Sequence, residues 1–177
     1  MTLETPRFLL VPATAELVAQ EIAGSEALGK ALSADVPTDW PPEETVDALP
    51  WFLSRLKSDP GLSGWLNWYG LYRDDTSRRP VLVGSAGFFG PPEDGSVEIG
   101  YSVLPSFQGR GFATEIVTGL VTWALSQPAV ECVAAESSSE NHASLRVFRK
   151  IGFTPVGAGR DEGCLRFERK PTEKIMP

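Results

Sequence analysis

Hydrophobic and polar residues follow one another along the chain in patterns that predict a succession of strands and helices. Short apolar runs bounded by proline, glycine or charged turns predict strands. These runs are Phe8–Val11, Trp65–Tyr72, Val81–Phe89, a strand beginning near Val97, Cys132–Glu136, Thr154–Val156 and Cys164–Glu168. Apolar residues at helical spacing predict helices after Thr14, over Glu43–Lys57, over Ala113–Leu125 and from Asn141 to Gly152. Pro50 predicts a break in the second of these helices near Leu49.

The order of these elements predicts one α+β domain. Three strands from Trp65 onward are joined by short polar turns, which is typical of an antiparallel meander, and the later strands alternate with helices. We therefore expect a mixed sheet with helices on both faces, in a single domain spanning residues 1–177. Residues 171–177 are expected to form a flexible tail.

The composition narrows the classes of function. The 177 residues are 42% hydrophobic and 22% charged, as in ordinary globular domains. A net charge of −7 without a basic cluster argues against a nucleic-acid partner and mildly favours a cationic substrate. Two cysteines and one histidine make no metal-binding pattern. No apolar run approaches the ~20 residues that span a bilayer, and no secretory signal is apparent, so we expect a metal-free, cytoplasmic protein without a membrane partner.

A glycine-rich turn between a strand and a helix is the strongest candidate for a binding site. The strand that begins near Val97 leads into Gln108-Gly109-Arg110-Gly111-Phe112, and a helix follows from Ala113. The first N–H groups of a helix have no intrahelical partners, and the helix dipole adds positive charge there. Small residues in the turn allow a phosphate to approach the backbone. The pattern predicts a pyrophosphate-binding turn.

This turn is one of three spaced motifs. Gln108-Gly109-Arg110-Gly111-Phe112-Ala113 fits the pattern Q/R-x-x-G-x-G/A, Glu98-Ile99-Gly100-Tyr101 precedes it, and Asn141-x-x-Ser144-x-x-x-Phe148-x-Lys150-x-Gly152-Phe153 follows it. In this order they resemble the motifs of the GNAT superfamily of N-acetyltransferases, most closely the branch that acts on the N-terminal alanine or serine of ribosomal proteins. The resemblance implies a mixed, mostly antiparallel, twisted sheet of six to seven strands with about four helices on both faces.

The resemblance also implies acetyl-coenzyme A as co-substrate, with no metal. Amides of the glycine turn would hold the pyrophosphate, and amides near the end of the preceding strand would hold the acetyl carbonyl. The implied cofactor-binding residues are Val103, Leu104, Gln108, Gly109, Arg110, Gly111, Phe112, Ala113, Thr114 and Asn141. For Arg110 a backbone contact is favoured over a side-chain pair with phosphate. Asn141 can cap its own helix as well as bind the cofactor.

Glu98 is the candidate general base. An amine attacks a thioester only when it is neutral, so a group that accepts its proton, directly or through water, is useful. Strand alternation places Glu98 on the face that also carries Gly100 and Ser102, close to the glycine turn. The alternative is a carboxylate that simply pairs with a neighbouring group.

Ser144 is the candidate proton donor to the leaving thiolate. Many members of the superfamily use a tyrosine on this helix, but the equivalent position here is Phe148, which has no hydroxyl. The resemblance to the ribosomal-protein branch implies that Ser144 replaces it. An ordinary helix serine is the alternative, and the absence of the tyrosine keeps open a coenzyme A-binding sensor or scaffold that does not turn over.

The acceptor site is expected in the loop before the Glu43 helix. Trp40 lies between Asp39 and two prolines and is predicted to line a pocket, and Asp39 is predicted to attract a cationic amine. A solvated loop is the alternative. The predicted reaction is direct attack of a primary amine, on a protein N-terminus or a small molecule, within a ternary complex. The sequence leaves open which amine is used, and a homodimer is one alternative for the oligomeric state.

Overall fold

An eight-stranded sheet forms the centre of the computed structural model, which describes residues 1–73 and 77–171. The strands are β1 (Leu3–Glu4), β2 (Phe8–Pro12), β3 (Asn67–Tyr72), β4 (Val81–Phe88), β5 (Ser96–Val103), β6 (Cys132–Ser138), β7 (Thr154–Ala158) and β8 (Cys164–Arg169). Their order is β1-β2-β3-β4-β5-β6-β8-β7, and only β5 and β6 pair in parallel. The predicted mixed, mostly antiparallel sheet is confirmed. It exceeds the expected six to seven strands because a two-residue strand, β1, pairs with β2.

Six α-helices occur in the described part of the chain, where about four were expected. They are α1 (Ala15–Ala23), α2 (Ser25–Leu32), α3 (Glu43–Val46), α4 (Leu49–Ser58), α5 (Phe112–Leu125) and α6 (His142–Ile151). Gly24, with φ 126°, ends α1 and begins α2, a second helix that the hydrophobic spacing did not predict. The break predicted near Leu49 is confirmed, because α4 begins there with Pro50 in its first turn.

Each face of the sheet carries its own hydrophobic core. Successive residues of a strand point to opposite faces, so the neighbours Trp68 and Tyr69 belong to different cores. On one face α1, α2 and α4 contribute Val18, Leu28, Leu49 and Leu56. On the other face α5 and α6 contribute Phe112, Ile116, Val117, Leu120, Phe148 and Ile151. The prediction of helices on both faces is confirmed.

The parallel strands β5 and β6 stay together over a short distance only. Their register pairs Ser96 with Cys132, Val97 with Val133, and Glu98 with Ala134. Beyond Glu98, β5 continues along β4 as far as Val103, while β6 continues along β8. Because their ladders lead in different directions, the two strands part and leave the inner edge of β5 open. The glycine turn follows at the end of this open edge.

Two predictions concern residues that the structure does not describe. The predicted tail 171–177 lies outside the described residues except for Pro171, as do residues 74–76 of the turn between β3 and β4. In the ranges 1–73 and 77–171, no helix is long and apolar enough to cross a membrane. Over the same ranges, no group of three or more histidine, cysteine, aspartate or glutamate side chains is placed to hold a metal ion.

Candidate active site

The glycine turn presents backbone N–H groups at the start of α5. Gly109 and Gly111 have φ of 74° and 77°, in the left-handed region that favours glycine. Gly111 precedes the helix, and its C=O accepts the N–H of Glu115 at 3.1 Å. The amides of residues 112–114 therefore point out of the helix end, where the helix dipole is positive. This arrangement suits a phosphate group.

Ionic contacts attach this turn to the connection between β1 and β2. Arg7 Nε donates to Glu115 Oε2 at 2.6 Å, and Arg7 Nη1 donates to the C=O of Arg110 at 3.2 Å. Thr5 Oγ1 and the N–H of Arg7 each donate to Glu115 Oε1 at 2.7 Å. Burial alone would raise the pKa of Glu115, but these hydrogen bonds hold it below its ordinary value. The first turn of α5 is therefore fixed by a charged carboxylate.

The side chains of Arg110 and Phe112 pack with one another beside the turn. The Arg110 guanidinium lies 4.5 Å from the centroid of the Phe112 ring and 5.3 Å from that of Tyr72. Phe112 is buried and meets Phe8 edge-on, with 5.0 Å between ring centroids. With these side chains engaged elsewhere, both residues face the turn through their backbones. The backbone role favoured for Arg110 stays a prediction.

Backbone groups of β5 point alternately towards β4 and away from it. The C=O of Glu98 accepts the N–H of Phe89, and the N–H of Leu104 donates to the C=O of Val83 at 2.9 Å. The direction of the backbone hydrogen bonds alternates along an antiparallel strand, so the N–H and C=O groups of the even-numbered residues between Glu98 and Leu104 also point towards β4. The amide of Leu104 is therefore already paired and its side chain is buried. The prediction that it holds the acetyl carbonyl is wrong.

Val103 has the opposite orientation. By the same alternation its N–H points into the space where β5 and β6 part. Its C=O accepts a hydrogen bond from Gln108 Nε2 at 2.9 Å, which holds the strand end against the glycine turn. A fixed N–H donor at this place can polarise a carbonyl and stabilise the negative charge that develops on its oxygen. Gln108 thus positions the strand end as well as bordering the turn.

A cavity of about 740 Å³ lies between the glycine turn, the end of β5 and the start of α6. Its volume is within the range of small-molecule sites. The predicted residues that line it are Val103, Gln108, Gly109, Gly111, Phe112, Ala113, Thr114, Asn141 and Ser144. Arg110 and Leu104 are not among its lining residues. We call this the cofactor cavity, because it brings the predicted phosphate seat and the predicted proton donor to one place.

Two cations that the sequence analysis did not select line the α6 side of the cofactor cavity. They are Arg146 and Lys150, and they share one stripe of the helix with Ala143 and Val147. Positive side chains next to unpaired helix-start amides suit an anionic ligand. The signal in the sequence is their spacing on α6, because residues four apart lie on the same face of a helix.

Tyr101 and Ser144 form a hydrogen-bonded pair in the cofactor cavity. The Tyr101 hydroxyl donates to Ser144 Oγ at 3.0 Å, and its ring meets Phe148 edge-on at 6.3 Å. β5 therefore supplies the tyrosine hydroxyl that α6 lacks at Phe148. Burial raises the pKa of Tyr101, although the hydrogen bond with Ser144 opposes this, so the phenol stays protonated. The Ser144 hydroxyl lines the cofactor cavity beside this phenol.

Asn141 caps α6, as one of its two predicted roles requires. Its Oδ1 accepts the N–H of Ser144 at 3.1 Å, so the cap also sets the position of Ser144. Asn141 lines the cofactor cavity as well. The side-chain amide of Asn141 and the hydroxyl of Ser144 therefore lie together at the start of α6.

Glu98 lies in a cluster of charged side chains. It pairs with Arg160, and its Oε2 lies 3.6 Å from Nη1 of Arg166, which also lies 3.3 Å from Oε1 of Glu136. Burial raises the pKa of Glu98, and the positive charge of Arg160 opposes part of this rise. The alternative of a paired carboxylate is therefore observed. The role of Glu98 as a base stays a prediction.

Trp40 belongs to the core, and the prediction that it lines a pocket is wrong. It is 6% exposed, and its Nε1 donates to Glu21 Oε1 at 2.8 Å. The Tyr69 hydroxyl donates to the other oxygen of this carboxylate at 2.6 Å. Burial raises the pKa of Glu21, despite these two hydrogen bonds. The indole turns inward because a buried acceptor satisfies its N–H. Asp39 is exposed and lines neither cavity of the site.

A second cavity, of about 460 Å³, lies on the α4 side of β4 and β5. Trp51 and Phe52 of α4 form part of its lining, and Gly100 of β5 borders it. Tyr101 and Ser102 line both this cavity and the cofactor cavity. The two cavities therefore meet at one point of β5, at the open strand edge. We call the second one the acceptor cavity, because it is the candidate place for the acetyl acceptor.

Comparison with known proteins gives one consistent family. Residues 7–154 match the family described as the acetyltransferase (GNAT) domain. The chain is 30% identical over 125 residues to the uncharacterized N-acetyltransferase YjdG of Bacillus subtilis, which covers 70% of this chain and 72% of that protein. A ribosomal-protein-S5-alanine acetyltransferase from Vibrio fischeri superposes with a TM-score of 0.67, at 16% identity over 100% of both chains.

A further similar structure contains the co-substrate itself. The N-acetyltransferase PseH of Campylobacter jejuni, solved in complex with acetyl coenzyme A, superposes with a TM-score of 0.58 at 18% identity, over 92% of this chain and 99% of that one. The left-handed glycines, the free amides at the start of α5 and the cations of α6 fit such a ligand in this chain. The chain belongs to the GNAT family and is an acetyl-coenzyme A-dependent N-acetyltransferase.

Proposed function

We propose that this chain transfers the acetyl group directly to a primary amine, on a protein N-terminus or a small molecule, within a ternary complex. The meeting of the two cavities at Tyr101 and Ser102 carries the proposal. A thioester held in the cofactor cavity and an amine held in the acceptor cavity would approach each other from opposite sides of β5. Both substrates can then be bound together, which direct attack requires.

The distribution of cysteines supports direct attack over a covalent acetyl-enzyme. In the described part of the chain neither cavity has a cysteine among its lining residues. Cys132 is buried in β6, and Cys164 lies in β8. Ser144 lines the cofactor cavity, but the group beside it is the phenol of Tyr101, whose pKa is raised by burial, so it stays protonated and cannot act as a base towards Ser144.

Several groups of the chain are assigned roles in this reaction. The N–H of Val103 holds the acetyl oxygen and stabilises its developing charge. Ser144 directs its O–H to the sulfur and stabilises the leaving thiolate by a hydrogen bond. Tyr101 keeps the Ser144 hydroxyl in this orientation. The amides of residues 109–114, with Arg146 and Lys150, hold the phosphates.

Glu98 is proposed to act through water. Positions 98 and 102 are four residues apart on one strand, which corresponds to about 13 Å. A carboxylate at that distance from the meeting point of the cavities cannot take the proton of the amine directly. One or more water molecules along the face of β5 would have to relay it.

Steady-state kinetics test the proposal. Thiol release is measured while acetyl-coenzyme A and an amine are varied together, and a ternary complex predicts intersecting lines in the double-reciprocal plot. Parallel lines would instead require an acetyl-enzyme and contradict direct attack. Binding of acetyl-coenzyme A in calorimetry, without thiol release for any primary amine, would favour the alternative of a sensor or scaffold. The residue that keeps this alternative open is Phe148.

The ribosomal-protein-S5-alanine acetyltransferase that this chain is similar to acts, by its name, on an alanine of a ribosomal protein. At 16% identity this similarity establishes the fold only. A peptide that begins with alanine and a small amine of similar size therefore belong in the same assay.

A further inference from the structure

The acceptor cavity is apolar for a site that takes an amine. Its walls include the rings of Trp51, Phe52 and Phe89, whereas the ring of Phe88 packs on the other face of the sheet against Trp65 and Trp123. Among the lining residues that the structure describes none carries a charge, and the polar side chains are Thr45, Asn67, Ser85, Tyr101 and Ser102. Trp51 and Phe89 are also large exposed hydrophobic residues, at 49% and 67% exposure. Exposed apolar side chains around a cavity are typical of a binding site.

The floor of the acceptor cavity is bare backbone. A Cβ atom on Gly87 would lie 1.8 Å from the C=O of Leu66, so only glycine fits where β3 and β4 approach each other. A Cβ on Gly100 would meet only the Phe89 ring, at 3.5 Å, which is an ordinary contact. The space above Gly100 is therefore open, and a ligand can lie flat against β5 at this point.

We propose that the acceptor cavity selects a small primary amine that carries an aromatic or aliphatic group. This inference rests on the proposed acetyl transfer and names its substrate class. The apolar body packs between the rings of α4 and the floor at Gly100, and the amine lies at Ser102, next to the cofactor cavity. The volume of about 460 Å³ is at the lower end of the range for small-molecule sites.

The lack of charge in the described lining also assists the chemistry. Transfer of an ammonium group into apolar surroundings disfavours its charged form and lowers its pKa. The neutral amine is the form that attacks a thioester, so the cavity promotes reaction by burial. Asp39, which is predicted to attract a cationic amine, does not line the cavity, and neither does Asp35, whose Oδ1 lies 3.7 Å from Nη1 of Arg79.

The same features act against two other acceptor classes. A polyamine would place a second ammonium group against an apolar lining in which none of the residues that the structure describes carries a charge, and this is costly. A peptide would bring several amide groups that need hydrogen-bond partners, whereas the described lining has few polar side chains, and one of these, Tyr101, already bonds Ser144 in the cofactor cavity. A single polar end and an apolar body match the cavity.

A panel of matched amines tests this inference. Thiol release from acetyl-coenzyme A is measured with n-butylamine, n-hexylamine, 1,6-diaminohexane, 2-phenylethylamine and a tripeptide that begins with alanine. Burial of each methylene group should raise kcat/KM about fourfold, so hexylamine should exceed butylamine about 15-fold. Hexylamine should exceed the diamine of equal length at least tenfold. A preference for the diamine or the peptide would overturn the inference while leaving acetyl transfer intact.

Two variants locate the effect in the acceptor cavity. Gly100→Leu fills the floor and should raise the KM for hexylamine at least tenfold. The dissociation constant of acetyl-coenzyme A should not change, because Gly100 does not line the cofactor cavity. Trp51→Ala should lower kcat/KM for hexylamine, while Ile22→Ala, which truncates a side chain of the same 49% exposure away from both cavities, should not.

The outcomes separate the inference from the proposed function. The inference of an apolar acceptor would be overturned if Trp51→Ala and the wild type had equal kcat/KM for hexylamine and Gly100→Leu left the KM for hexylamine unchanged. No thiol release with any amine, although acetyl-coenzyme A binds, would overturn both the transfer and the acceptor class. The inference is supported if kcat/KM rises with the apolar area of the amine in the wild type and this dependence is lost in Trp51→Ala and in Gly100→Leu.

Discussion

Removal of the Tyr101 hydroxyl should slow turnover without weakening cofactor binding. In Tyr101→Phe the ring keeps its contact with Phe148, and only the hydrogen bond to Ser144 Oγ is lost. A neutral hydrogen bond contributes about 0.5–1.5 kcal/mol. If the bond acts only in the transition state, its loss lowers kcat about two- to twelvefold. Ser144 stays in place, because Asn141 still accepts its backbone N–H.

The assay is thiol release at saturating amine, with the dissociation constant of acetyl-coenzyme A measured by calorimetry. Tyr72→Phe is the matched control, since it removes a phenol hydroxyl from a residue that lines neither cavity. A double-mutant cycle with Ser144→Ala gives the decisive comparison. Because Tyr101 acts through Ser144, Tyr101→Phe should cost nothing further in the Ser144→Ala background. Additive losses in the double variant would show that the two hydroxyls act separately and refute the reasoning.

Three further predictions concern the base, the turn and the glycines. Glu98→Gln should shift the pH–rate profile to higher pH without a change in acetyl-coenzyme A binding. Glu136→Gln, in the same charged cluster, should leave the profile where it is. An unchanged profile in Glu98→Gln would remove Glu98 from the mechanism. Glu115→Gln should destabilise the fold by about 1–3 kcal/mol in urea unfolding at pH 7. Because the folded-state pKa of Glu115 is lowered, the loss of stability in Glu115→Gln is complete above the unfolded-state pKa of about 4.3 and disappears as the pH falls through the folded-state pKa. An equal loss of stability at pH 3 would contradict this assignment. Gly109→Ala should weaken acetyl-coenzyme A binding more than Gly152→Ala, although both glycines have positive φ and open space around them and should lose similar stability; equal binding by the two variants would argue against the phosphate seat.

The elements that local sequence rules control were predicted well. The turn at Gln108–Phe112 and the start of α5 follow from glycines that permit positive φ and from amides that every helix start leaves unpaired. The cap at Asn141 follows from side-chain geometry within four residues. The break before Leu49 follows from the missing N–H of Pro50. Each of these depends on neighbours in the chain, which are visible in the sequence.

Errors arose where a polar group had several alternatives for its partner. Trp40 was assigned to a pocket wall because its loop is rich in proline, but Glu21 from α1 accepts its N–H in the core. The amide of Leu104 was assigned to the co-substrate, but it completes the ladder with β4. Position along a strand predicts the face of a side chain. It does not predict which distant group reaches that face.

Residue periods, turn residues and short motifs are enough to predict the family, the mixed sheet and a candidate phosphate-binding turn. The packing of distant segments is needed to show that Tyr101 from β5 reaches Ser144 on α6, that Glu98 is paired with Arg160, and that an apolar cavity meets the cofactor cavity at Ser102. The physical reason is that a buried polar group takes the partner that packing brings to it. Here Tyr101 and Ser144 are 43 residues apart in the chain, and Glu98 and Arg160 are 62 residues apart.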